Sequence, residues 1–128
     1  MFTQFSEKAQ KIIVLAESIA FDLCHNIVGS EHLLLALLRN KENIFTQILS
    51  KYDINEEVIY KDILRLFKKG EDHPFYMEYS DQVKDIIAEA IRIAADKKVT
   101  IEMFSLALLN QSQSVAYELL CKYHVDIE

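Results

Sequence analysis

The chain has 128 residues, 51% hydrophobic and 27% charged, which is enough material for one globular domain with a hydrophobic core. Its two glycines and single proline are too few for hairpin-rich β folds or for the Gly-rich phosphate loop of nucleotide-binding enzymes. The net charge of −6 comes from residues 71–128, which contain five basic and eleven acidic residues, whereas residues 1–70 contain nine of each. This acidity argues against a nucleic-acid partner.

The first 70 residues predict four helices. Ser6 is a typical N-cap, and the apolar residues that follow it recur at helical spacing. Ser30 is expected to cap a second helix, Glu31–Arg39, which is apolar nearly all round in its middle and should therefore be buried. A third, short helix is predicted over about Ile44–Tyr52.

A fourth helix is expected to begin after Asn55, which is followed by two acids that favour a helix N-terminus. Gly70 stands where the glycine that ends a helix in the left-handed conformation is usually found. Residues 71–79 then form a linker that contains the only proline. We expect its Pro74-Phe75-Tyr76-Met77 segment to fold over the seam between the two halves; the alternative is an exposed apolar patch for a partner.

Three further helices are predicted after the linker. Ser80 caps the first, Thr100 or Ile101 begins the second, which runs to about Asn110, and the third covers about Ser114–Tyr123. These helices match the first three in order and in length, which points to an internal repeat.

The repeat is visible in the residues themselves. Residues 5–23 and 79–97 are identical at seven of 19 positions, and residues 28–54 and 99–125 at nine of 27. The fold predicted is therefore all-α, a single domain of two tandem four-helix repeats (residues 1–70 and 80–128) related by a pseudo-twofold axis.

The second repeat is expected to lack its last helix, because the position equivalent to Asn55 is Asp126, two residues before the end of the sequence. Leu35 and Leu106 occupy equivalent positions in the second helix of each repeat, and both are predicted to be core residues. Replacing either by alanine should then cost about 2–5 kcal/mol.

Two segments carry a family resemblance. Phe5-Ser6-Glu7-Lys8-Ala9-Gln10-Lys11 opens the first helix, and His25-Asn26-Ile27-Val28-Gly29-Ser30-Glu31-His32 leads into the second. Together with the duplication, they make the whole chain resemble the amino-terminal domain of Clp-family unfoldases, above all of the type C subunit. In the second repeat Thr100-Ile101-Glu102-Met103 replaces the motif and keeps only its acid.

The resemblance implies a domain without catalytic activity or cofactor. In that family it is a double four-helix module in front of a ring-shaped ATP-driven unfoldase, and it docks adaptor proteins and unfolded or tagged substrates. The expected partners are accordingly adaptors, substrates and, in a longer chain, the ATPase ring. The alternative hypothesis is a stand-alone helical interaction module that dimerises, or regulates Clp adaptors, through the surface left bare by the missing helix.

The resemblance also implies candidate binding residues, because some Gram-positive members of the family recognise phosphorylated arginine. The acids that would hold the guanidinium group fall on Glu31 and Glu102, the hydroxyls that would help to hold the phosphate fall on Ser6 and Ser80, and a basic family position falls on Lys84. A carboxylate can accept paired charge-assisted hydrogen bonds from a guanidinium, and a helix N-terminus suits a phosphate. The neutral first repeat, around Ser6 and Glu31, is the half expected to keep an anionic ligand.

Each candidate also has a purely structural interpretation. Ser6 and Ser80 are explained as N-caps, and Glu31 and Glu102 as acids that stabilise a helix N-terminus. Some neighbours are also unfavourable for a phosphate, since acids follow both serines and Gln82 replaces a basic residue typical of the family.

No metal site or catalytic group is predicted. Cys24, His25 and His32 lie close in the sequence but match no zinc-ligand spacing, so the histidines are expected to pack a loop onto the helix. Cys24 and Cys121 are expected to be free thiols in a reducing cytosol, and neither a signal peptide nor a membrane-spanning apolar run is present. A cytoplasmic location is therefore predicted.

Overall fold

The computed structural model describes residues 3–123, and seven α-helices and one pair of two-residue strands account for most of them. This confirms the predicted all-α repeat fold. The elements in chain order are α1 (Glu7–Asp22), β1 (Ile27–Val28), α2 (Ser30–Arg39), α3 (Ile44–Ser50), α4 (Glu56–Phe67), β2 (Glu78–Tyr79), α5 (Asp81–Ala94), α6 (Ile101–Asn110) and α7 (Val115–Lys122).

Side-chain caps begin most of the helices at the predicted places. The Ser6 and Ser80 hydroxyl oxygens each accept a hydrogen bond from the backbone N–H three residues on, at 3.1 Å, and the Asn55 side chain does the same at 3.0 Å. Ser30 is the exception, because Gly29 is the N-cap of α2 and Ser30 is its first residue. The Ser30 hydroxyl oxygen instead accepts from the Ala116 N–H at 3.0 Å, so it binds the start of α7 in the other repeat.

The end of α4 also differs from the prediction. Lys68, not Gly70, has the positive φ there, 58° with ψ of 164°, so the helix does not end in the left-handed helical conformation. Gly70 is needed for a different reason, since a Cβ at this position would lie 2.4 Å from the Cys24 carbonyl oxygen. The Gly70 N–H donates to the Leu23 carbonyl at 2.9 Å, so this close approach holds the end of the first repeat against the end of α1.

The two repeats are joined by two equivalent backbone contacts. The Ser6 N–H donates to the Val99 carbonyl at 2.9 Å, and the Ser80 N–H donates to the Val28 carbonyl at 3.0 Å. In both places the segment that enters the first helix of one repeat lies parallel to the segment that enters the second helix of the other. The two contacts therefore bring helix N-termini from different repeats side by side.

The core is centred on α2, and every residue from Ser30 to Leu38 is buried. Its neighbours include α1, α4 and α7, and α5 packs chiefly on α6. The prediction that Leu35 and Leu106 are equivalent core residues is half wrong: Leu35 is fully buried, but Leu106 is 48% exposed. Leu35 lies on a helix that α4 packs against. The segment expected to play the part of α4 in the second repeat, beginning at Asp126, lies outside the described residues.

The last residues of the linker pack against the rest of the domain. Glu78–Tyr79 forms β2, which pairs in parallel with β1, and Met77 packs against the core. Phe75 and Tyr76 are exposed, so they do not cover the seam between the repeats and correspond to the alternative of an exposed apolar patch. None of the helices in residues 3–123 combines the length and the apolar character needed to cross a bilayer.

Candidate functional site

Two cavities hold four of the five predicted site residues, in an arrangement that the sequence did not suggest. The cavity of about 410 Å³ that contains Glu31 is also lined by Ser80, and we call it the Glu31 cavity. The cavity of about 460 Å³ that contains Glu102 is also lined by Ser6, and we call it the Glu102 cavity. Each cavity therefore pairs the acid of one repeat with the N-cap serine of the other.

The crossed pairing follows from the backbone contacts between the repeats. The chain entering α5 lies beside the chain entering α2, which places Ser80 near Glu31, and the chain entering α1 lies beside the chain entering α6. The expectation of a ligand site in the first repeat around Ser6 and Glu31 is therefore wrong. These two residues line different cavities, and both cavities draw on both repeats.

Glu31 is a buried carboxylate on the wall of its cavity, only 8% exposed. Gly29 makes room for it, because a Cβ on Gly29 would lie 2.1 Å from the Glu31 Oε1 atom. Burial raises the pKa of the Glu31 carboxyl above its usual value, although its own backbone N–H and the nearby His25 counteract part of the rise. A carboxylate that is poorly solvated in this way gains by binding a cation.

Two histidines connect the Glu31 cavity to the end of α4. The Gly29 N–H donates to His32 Nδ1 at 2.9 Å, which places the proton of neutral His32 on Nε2. His32 Nε2 then donates to His25 Nδ1 at 2.9 Å, and His25 Nε2 donates to the Lys68 carbonyl at 2.7 Å. Burial and the neighbouring His25 lower the pKa of His32 to about 4, so His32 is neutral at pH 7. The predicted packing role of these histidines is confirmed, and the chain of bonds holds the end of α4 at the cavity.

The two serines act as caps and also line the cavities. Each hydroxyl oxygen accepts from a backbone N–H of its own helix, and its hydrogen is left to donate outward. Lys84 does not line the Glu31 cavity. It is exposed and lies one turn after Ser80, whose carbonyl accepts from the Lys84 N–H at 3.0 Å.

The two cavities differ in charge. Within residues 3–123, Glu31 is the one acid that lines its cavity, whereas three acids and one lysine line the other: Glu7, Glu42, Glu102 and Lys8. Glu102 is exposed, in contrast to the buried Glu31. The acids of the Glu102 cavity therefore attract a cation, although Glu102 itself is exposed and does not need a cation to neutralise it. For the same reason this cavity is the less suitable of the two for an anion.

Several lining residues were missed by the sequence analysis. Ile27 and Phe67 lie on the Glu31 cavity although both are largely exposed apolar residues, and Asn40 and Asn43 lie on the Glu102 cavity. Ile27 belongs to the segment that carries the family resemblance and could have been identified from the sequence, but nothing in the sequence places Phe67 beside Glu31. Among the described residues, no three His, Cys, Asp or Glu side chains are grouped as metal ligands.

Two solved structures with similar folds are amino-terminal domains of chaperones. The Hsp104 N-terminal domain from Candida albicans matches with a TM-score of 0.77 and 17% identity over 96% of this chain and 83% of that one. The N-terminal domain of the chaperone ClpD from Arabidopsis thaliana matches with a TM-score of 0.79 and 16% identity over 99% of this chain and 89% of that one. At these identities the likeness concerns the fold.

Sequence relatives are ATP-dependent Clp subunits. The chain is 32% identical to the Bacillus subtilis negative regulator of genetic competence ClpC/MecB over 94% of its own length and 15% of that protein. It is 27% identical to the Clp protease ATP-binding subunit ClpC of Staphylococcus aureus (strain USA300) over 99% of its own length and 16% of that protein. The chain thus spans about one sixth of these relatives.

The family comparison agrees with the repeat structure. The model of the Clp repeat (R) N-terminal domain matches residues 4–98, which include α1 to α5 and the contact between Ser80 and Val28. The predicted resemblance is confirmed, and the chain belongs to the Clp repeat N-terminal domain family.

Proposed function

We propose that this chain is a docking domain that binds adaptor proteins and protein substrates for a Clp-type unfoldase and carries no catalytic step itself. Its membership of the Clp N-terminal domain family supports this function, as does its similarity to a small part of much longer ATP-binding subunits. The ATP-driven step would belong to other modules of such a protein.

We further propose that the cavities recognise arginine side chains, including phosphoarginine, on the proteins that dock. The observation that carries this proposal is the crossed pairing, in which an acid and the N-cap serine of another helix line one cavity. The acid accepts hydrogen bonds from the planar guanidinium, while the serine hydroxyl and the helix N-terminus bind the phosphate. Lys84 is exposed one turn after Ser80 on the same helix, and we propose that its positive charge assists binding of the phosphate.

The Glu31→Gln variant is expected to weaken binding of a phosphoarginine peptide by about tenfold or more, because it removes a charged acceptor but keeps the side-chain shape. Calorimetric titration of the peptide into the wild-type chain and into Glu31→Gln, Glu102→Gln and the double variant measures the share of each cavity. The variants should remain folded, since the amide at position 31 removes the desolvation penalty of a buried charge and Glu102 is exposed.

Glu57→Gln is the matched control, because Glu57 is an exposed acid of α4 that lies on neither cavity and pairs only with Lys61 among the described contacts. It should bind like the wild type. Unchanged affinity in the double variant, or no heat from the wild type with any phosphoarginine ligand, would contradict the arginine-recognition proposal while leaving the family assignment intact.

A second candidate function, self-association, is favoured by the 48% exposure of Leu106 on α6. The equivalent position in the first repeat, Leu35, is buried, so in such a dimer a second copy of the chain would cover Leu106. In sedimentation experiments over a range of concentrations we expect a dimer that the Leu106→Glu substitution abolishes. A monomer at the highest concentration would exclude this function.

A further inference from the structure

Among the residues that the structure describes, the Glu31 cavity has an exposed apolar rim and the Glu102 cavity does not. Ile27 and Phe67 line the Glu31 cavity and are 49% and 44% exposed. The apolar side chain that residues 3–123 contribute to the Glu102 cavity is Ile101, which is buried. In the second repeat the position equivalent to Ile27 is Lys98, so the difference is already present in the sequence.

Both rim residues are held in place by the backbone. Ile27 lies in β1, where it pairs with Glu78 of β2. Phe67 is the last residue of α4, directly before Lys68, whose carbonyl accepts the hydrogen bond from His25. Because the backbone positions of Ile27 and Phe67 are fixed before a ligand binds, little conformational entropy is lost when a ligand side chain packs against them.

We infer that Ile27 and Phe67 form an apolar subsite of the Glu31 cavity, which binds an aliphatic or aromatic side chain next to the arginine or phosphoarginine of a docked protein segment. This inference rests on the proposed function of the cavity. The buried Glu31 carboxylate selects a cationic group, and the two exposed apolar side chains beside it select an apolar neighbour of that group. The occupant is accordingly a peptide segment, which the cavity distinguishes from the free amino acid.

The two cavities then read different sequences. The Glu31 cavity binds a cationic side chain and selects an apolar residue next to it. The Glu102 cavity is lined by three acids, asparagines and a lysine, so it binds the cationic side chain without selecting the residues next to it. A protein that engages both cavities would need an apolar residue beside only one of its two arginines.

The test compares three ligands: free phosphoarginine, a peptide with leucines on both sides of one phosphoarginine, and the same peptide with serines. The Glu102→Gln variant serves as the background, so that binding at the Glu31 cavity is measured alone. By fluorescence anisotropy and calorimetry, the leucine peptide should bind about tenfold more tightly than the serine peptide, a ratio typical of burying part of one apolar side chain.

Ile27→Ser and Phe67→Ser should each reduce that preference, because each weakens binding of the leucine peptide more than binding of the serine peptide. Val14→Ser, which removes an exposed apolar side chain of α1 away from both cavities, is the matched control and should keep the preference. Equal affinity for the two peptides, with free phosphoarginine still bound, would overturn this inference alone. Binding of none of the three ligands would overturn the proposed arginine recognition as well.

Discussion

Leu35→Ala is expected to lower the free energy of unfolding by about 2–5 kcal/mol, whereas Leu106→Ala should lower it by less than about 1 kcal/mol. The two leucines are equivalent in the repeat, but Leu35 is fully buried and Leu106 is 48% exposed. Removing a buried leucine side chain loses its transfer free energy and leaves a cavity, while a half-exposed side chain has little of either to lose.

Urea unfolding of the two variants beside the wild type, followed by circular dichroism at 222 nm, measures this contrast directly. The substitution is the same at both positions, so helix propensity changes equally and each variant is a control for the other. Equal losses would mean that the surroundings of α6 resemble those of α2, contrary to the structure.

Asp62→Asn is expected to cost about 1.5–3 kcal/mol, because Asp62 links α4 of the first repeat to the end of the second. Its carboxylate is 5% exposed and accepts hydrogen bonds from Arg65 at 2.8 Å, from Lys122 at 3.0 Å and from the Tyr123 hydroxyl. Arg65 and Lys122 are each about half exposed, so water compensates for much of their loss and the estimate stays below that for a fully buried ion pair.

The cost of this substitution should also depend on pH. Burial alone would raise the pKa of Asp62, but the hydrogen bonds from Tyr123, Arg65 and Lys122 together hold it below the usual aspartate value of 3.8. A carboxyl whose pKa is lowered by folding stabilises the native state above its unfolded pKa. The contribution is therefore complete above about pH 5 and declines as the pH falls through 3.8 towards the lower folded pKa.

Thermal unfolding of wild type and Asp62→Asn at pH 7, 5 and 3 tests both statements. The difference between the two proteins should be equal at pH 7 and 5 and smaller at pH 3. Asp72→Asn, at an exposed linker position, is the control and should resemble the wild type throughout. A difference that grows on acidification would contradict the assigned direction of the pKa.

Local sequence signals predicted most of the fold correctly. The caps at Ser6, Asn55 and Ser80 were predictable because a short polar side chain before an apolar stripe satisfies the free N–H groups of a helix start. Ser30 was misassigned because the same signal does not say which helix the hydroxyl will serve. Its partner, Ala116, is 86 residues away.

The candidate site was predictable residue by residue but not as an arrangement. Glu31 and Ser80 both emerged from the sequence, yet they were assigned to different repeats and hence to different sites. Their shared cavity depends on the hydrogen bond between Ser80 and Val28, which is a long-range contact. The same holds for Phe67, which reaches the cavity through the bond from His25 to the Lys68 carbonyl.

The scarcity of glycine and proline by itself argued against hairpin-rich β folds and against a Gly-rich nucleotide-binding loop in these 128 residues, and helical spacing with the internal repeat predicted two related helical halves. Periodicity and capping are local, so a single chain reveals them. Only the tertiary structure decided how the halves share their sites and that the equivalent leucines Leu35 and Leu106 differ in burial. The shared sites and the difference in burial both depend on which segments of the chain lie side by side. Two identical side chains contribute differently to the free energy of unfolding when different neighbours cover them.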